Sequence, residues 1–112
     1  MENKKIIFLC GAVDRYEEFD RYDDALRAMG YNTLLPTHLP GGLTKEQEMQ
    51  ICMAMINCAD AVLALSDWDK DMCASFEINY CSLINKPFIL PPKGPEVKPY
   101  WLREALEEVF KV

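Results

Sequence analysis

Basic residues are scarce in this chain, and histidine is nearly absent. Twelve Lys and Arg stand against eighteen Asp and Glu in 112 residues, a net charge of -6, with one His. A nucleic-acid polymer is gripped through a basic footprint, so general binding of DNA or RNA is excluded. A single nucleotide, held by backbone amides and one or two local cations, is not. Long apolar runs are missing too. None approaches the ~20 residues of a membrane span. The short run after Lys4-Lys5 is followed at once by Asp14, Arg15, Glu17 and Glu18, which suits a strand and not a signal peptide. No two of the five Cys (10, 52, 58, 73, 81) have Cys-x-x-Cys spacing, and His38 is the only imidazole. Zinc spacing is therefore lacking, and no metal or redox cofactor is implied. An odd number of thiols beside an ordinary core reads as reduced Cys in a cytoplasmic protein, most of them small buried apolar residues.

What is present is the composition of a globular domain: 50% apolar, 27% charged. The length suits one domain over residues 1–112. Residues 4–10 read Lys-Lys-Ile-Ile-Phe-Leu-Cys and close at Gly11, the pattern of a strand buried on both faces. Asp14 to Glu17 has capping-box spacing. Phe19, Tyr22, Leu26 and Met29 then recur at helical spacing up to a stop at Gly30. Tyr31–Leu35 predicts a second strand, and residues 36–42 a loop. Thr44 and Gln47 form a second capping box before a helix with Met49, Cys52, Met53 and Ile56 on one face. Asp60–Ser66 predicts a third strand, 67–71 a polar loop, and Met72–Ile84 a helix with Phe76, Tyr80 and Leu83 turned inward. Pro87–Leu90 predicts a fourth strand and Tyr100–Phe110 a last amphipathic helix. That helix carries Trp101, Leu102, Leu106 and Phe110, which suit packing on its own sheet better than assembly.

Strands alternating with helices imply a parallel sheet covered on both faces. The expected fold is α/β, a flavodoxin- or Rossmann-like three-layer α/β/α sandwich with about four parallel strands in the order 2-1-3-4. Such sheets bind ligands outside the carboxyl ends of their strands, where the strand order reverses. Three loops qualify: Gly11–Arg15, Pro36–Gly42 and Ser66–Cys73.

The third loop is the richest in chemistry. Asp67, Asp69 and Asp71 crowd around Trp68, and Glu77 follows in the next helix. Near the positive end of a helix dipole a carboxylate is held ionised, which suits a nucleophile or a base. An acidic cluster is as readily a solvated helix start, and spacing alone favours that plainer role. Trp68 is placed to stack on a flat base. Ser75, with the amides of residues 72–75, can cradle a phosphate or sugar hydroxyl. Gly11 permits close backbone approach, and Arg15 is the nearest cation for an anionic group. His38 lies on the second loop, where it contacts a ligand or caps a turn. Cys10 and Cys73 flank the crevice, but the only His is on another loop, which disfavours a Cys nucleophile.

The stretch Ala59-Asp60-Ala-Val-Leu-Ala-Leu-Ser-Asp67-Trp68, followed by Asp71-Met-Cys-Ala-Ser75-Phe76-Glu77-Ile78, resembles nucleoside 2-deoxyribosyltransferases, and in particular an uncharacterised phage and bacterial branch of that superfamily. It is also similar to the deoxynucleoside 5′-monophosphate N-glycosidases. The resemblance covers roughly residues 4–90 and implies cleavage of an N-glycosidic bond in a nucleoside or nucleotide. By the same resemblance Glu77 attacks C1′ of the sugar and Asp71 contacts the base. Gly11 and Ala12 line the sugar or phosphate pocket, the hydrolases' first-loop Ser and Arg are replaced near Ala12 and Asp14 with Arg15 adjacent, and His38 falls where the hydrolases place a His. Asp67, Trp68 and Ser75 complete the expected binding set, and a homo-oligomer is implied. The sequence departs from the pattern on the helix before strand three, where both enzyme groups carry an Asp and this chain has Cys52, or Ile51 in a shifted register. The alternative reading is a non-catalytic protein that binds a nucleotide or nucleoside on the same fold.

Overall fold

The computed structural model describes residues 4–92 and 100–111. Four short strands form one parallel sheet: β1 (Ile6–Cys10), β2 (Asn32–Leu34), β3 (Ala61–Ala64) and β4 (Phe88–Ile89), in the order β2-β1-β3-β4. Ile7, Phe8 and Leu9 of β1 pair with Ala61, Val62 and Leu63 of β3, so the two most apolar runs lie at the centre. Successive side chains of a strand point to opposite faces, and this divides the core in two. Ile7, Leu9, Ala61, Leu63 and Leu65 face α1 (Tyr16–Ala28) and α4 (Tyr100–Phe110). Phe8, Cys10, Val62 and Ala64 face α2 (Lys45–Cys58) and α3 (Met72–Leu83). The three-layer sandwich expected from the alternation of elements is the fold observed. Leu102 and Leu106 of α4 are buried against the sheet, as that helix's stripe indicates. No described helix is long and apolar enough to cross a membrane.

Helix ends follow their local chemistry, with one exception. Thr44 caps α2 through the reciprocal box: its hydroxyl accepts from Gln47 N (3.1 Å), and Gln47 Oε1 accepts from Thr44 N (2.9 Å). At the end of α1, Gly30 has φ +94°, donates to Arg27 O and lets Tyr31 N reach Leu26 O, both at 3.0 Å. That pattern is the Schellman stop that a glycine permits. The exception is the start of α1. The Asp14–Glu17 box does not form; Arg15 occupies the cap position without a side-chain cap bond. The phase of α1 is set by Glu18, Phe19, Tyr22 and Leu26, which are buried.

The inward face of α3 also differs from the expected one. Phe76 is 41% exposed and Leu83 82% exposed, while Ala74, Glu77, Ile78 and Cys81 point at the sheet. The helix is apolar nearly all round, so periodicity names no single face. Small side chains at Ala74 and Cys81 let it lie close to the sheet, and that choice carries Glu77 inward.

Candidate functional site

The strand order reverses between β1 and β3, and the crevice rule points to their carboxyl ends. Cys10 closes β1 there, and Glu77 reaches the same place from α3. Glu77 is 5% exposed, and its Oε1 accepts from the Cys10 thiol at 3.3 Å. Cys52 of α2 faces the same carboxyl group. Cys52 is buried and Ile51 lies at the surface, so of the two it is Cys52 that meets Glu77. No cation and no backbone N–H bonds Glu77 among the described residues.

Burial therefore dominates its titration. The Glu77 carboxyl is pushed up to about 7; the thiols of Cys10 and Cys52 pull it back down, and Asp71 adds repulsion. The sequence predicts a carboxylate held ionised near a helix dipole; Glu77 instead lies beyond the first turn of α3, where the dipole has faded, and desolvation wins. Both thiols are held protonated in turn. Cys10 is pushed far above its ordinary value by burial and then by Glu77, and Cys52 up to about 12 by the same causes. The result is a buried carboxyl group whose facing donors are weak ones. Among the described residues no three His, Cys, Asp or Glu side chains are arranged to hold a metal ion.

The neighbouring residues are largely occupied by the fold. Asp71 caps α3: Oδ2 accepts from Ala74 N at 2.8 Å, and its carbonyl accepts from Ser75 N at 2.9 Å. Two of the four amides expected to cradle a phosphate are thus taken. Ser75 Oγ donates to the Trp68 carbonyl at 3.3 Å. Gly11 approaches the protein's own interior: a Cβ there would meet Leu65 Cβ at 3.0 Å. The Ala12 carbonyl accepts from Arg15 N.

Loops one and three do come together. Arg15 Nη2 donates to Asp67 Oδ2 at 2.6 Å, and Lys70 lies 3.5 Å from Oδ1 of the same carboxylate. Asp67 has a φ of 57°, an uncommon conformation for a residue with a side chain. Beyond it a cleft of about 540 Å³ is lined by Ser66, Asp67, Trp68, Asp69, Lys70, Leu90, Pro91 and Pro92. Trp68 and Asp67 thus line a cleft. Glu77 and Asp71 are not among its lining residues. His38 stays on the turn after β2, exposed and within electrostatic reach of Asp23.

Residues 8–90 match the family described as a domain of unknown function, DUF4406. This chain belongs to the DUF4406 family. No curated protein matches it. The span shared with DUF4406 holds Cys10, Cys52 and Glu77, and it ends at Leu90 in the wall of the cleft.

One residue of this DUF4406 chain escaped the sequence reading. Glu18 is buried, and its Oε2 accepts from Ser66 N at 2.9 Å and from Ser66 Oγ at 2.6 Å. It fastens α1 to the point where β3 becomes the third loop. The available signal was its place beside Phe19 at the start of the buried stripe.

Proposed function

We propose that this chain acts on the N-glycosidic bond of a nucleoside or nucleotide, with Glu77 as the nucleophile. The observation that carries the reading is a buried carboxyl group at the β1–β3 switch point, faced by thiols and no cation, poised to change charge near neutrality. Strongly perturbed titratable groups concentrate at functional sites. In the reaction, ionised Glu77 forms a bond to C1′ of the sugar. The C1′–N bond breaks, and its electron pair leaves with the base, which takes a proton. Water or a second base then attacks C1′ and frees the carboxylate, the logic of a retaining glycosidase. Trp68 offers the stacking face, and Arg15 and Lys70 the local cations. The setting is a reducing, cytoplasmic one, and the working form is an oligomer.

The test is incubation with a panel of deoxynucleosides, ribonucleosides and their 5′-monophosphates, with free base read by chromatography. Wild type should release base, and Glu77→Gln should not. Because the nucleophile is the ionised form, the rate should rise with pH through about 7. A wild type that releases nothing, or a Glu77→Gln variant that works equally well, sinks the reading.

One observation favours a second reading, a binding protein without turnover: the cleft at Trp68 is lined without Glu77. Thermal-shift screening separates the two. A nucleoside or nucleotide that raises the melting temperature and is recovered intact supports binding alone. No shift with any of them counts against both.

A further inference from the structure

The charges of this chain are divided between the two faces of its sheet. In α1, seven of thirteen residues are charged, and α4 carries Arg103, Glu104, Glu107 and Glu108. On the other face, α2 has its three charges in the first turn and none from Met49 to Cys58. In α3 the sole charged residue is Glu77, which points inward. The outer surface of α3 is consequently uncharged along its whole length. It also bears apolar side chains in the open: Met72 is 86% exposed, Leu83 82% and Phe76 41%. On a helix these three fall on one stripe, with the exposed Asn79 between them. Ile51 of α2 and Ile84 beyond α3 are exposed as well.

We propose that this face pairs with the same face of a second copy of the chain. The charge distribution selects the occupant. Two copies at -6 repel each other, and most strongly through the α1/α4 side, so they associate at lowest cost where neither carries charge. A basic partner is drawn to the α1/α4 side instead, and the outer surface of α3 has no charge with which to select one. A two-fold interface is self-complementary, residue i meeting j while j meets i. Antiparallel packing of two α3 helices, each about 18 Å long, sets Met72 of one copy against Leu83 of the other, with Phe76 and Tyr80 near the axis. The pairing is independent of any activity at Glu77.

Sedimentation equilibrium from 1 to 200 µM tests it. Wild type should give twice 12.9 kDa. Phe76→Glu and Leu83→Glu, both at exposed positions, should weaken association at least 100-fold and leave circular dichroism unchanged. Arg21→Glu, which adds the same sign of charge to α1, should change it less than threefold. In a background with Cys58→Ser and Cys73→Ser, Phe76→Cys should form a disulfide-linked dimer on mild oxidation. A monomeric wild type at 200 µM overturns the proposal. So does a dimer that survives both α3 substitutions, or one that Arg21→Glu dissolves.

Discussion

Among the described residues each helical layer buries one carboxyl group, and the two are treated in opposite ways. On the α1 side, Glu18 is met by an N–H and an O–H of Ser66, the charge-assisted bonds that hold an anion well. On the α3 side, Glu77 is met by thiols, which are poor donors. The first group ties two elements together. The second is left with a proton affinity that its surroundings do not satisfy. Burial alone therefore does not distinguish a structural acid from a candidate reactive one; the donors do. The same division runs through the surfaces, with the charged exterior of α1 over Glu18 and the uncharged exterior of α3 over Glu77.

The comparison breaks if the two layers differ in packing as they differ in polarity. Phe8 faces α2 and α3, Phe19 faces the sheet from α1, and both are fully buried. Truncating either to Ala should cost about 4 kcal/mol. Urea unfolding that finds one costly and the other free would show that one layer is not a true core.

The next largest effect belongs to Glu77. Its carboxyl is raised in the folded chain, from 4.5 to about 7. Between those values the folded state holds more protons than the unfolded one, so its stabilising effect is complete below about 4.5 and is lost as pH rises through 7. The loss is on the order of 3 kcal/mol. Glu77→Gln should remove that slope, and the difference from wild type should appear in melts at pH 5 and pH 8. Equal pH profiles for the two proteins would place the carboxyl in water.

How far the sequence carries such arguments depends on the physics involved. β1 and β3 are unbroken apolar runs, and the glycine after α1 and the Thr44–Gln47 box are local signals. The sheet order and three layers follow from these. The surroundings of Glu77 do not. With Met72, Phe76 and Leu83 on one side of α3 and Ala74, Ile78 and Cys81 on the other, the helix has no unique inward face until it meets the sheet; the sequence turns Phe76 and Leu83 inward, and they lie outside. The sequence offers Arg15 as the nearest cation for an anionic group, and its pairing with Asp67 spans 52 residues. Contacts of that range leave no trace in local spacing.

A smaller effect sharpens the contrast between the acids. Glu18→Ala deprives Ser66 N and Oγ of their acceptor and should cost about 2 kcal/mol. Unlike Glu77→Gln, it should loosen the third loop, read as faster amide exchange at Ser66 and Asp67. A stability loss without faster exchange there would mean that Glu18 matters to α1 alone.

The smallest effects compare two helix starts. Thr44 makes both bonds of its box, so Thr44→Ala should cost about 1 kcal/mol. Asp14 has the same spacing from Glu17 and makes no cap, so Asp14→Ala should cost less than about 0.5 kcal/mol. The helix that lacks a cap is the one whose first turn holds Glu18 on Ser66 and whose Arg15 holds Asp67. Its start is fixed by tertiary bonds, and a local cap would add nothing to them. If Asp14→Ala instead costs as much as Thr44→Ala, α1 begins one residue earlier in solution, and Arg15 is drawn into its first turn and away from Asp67.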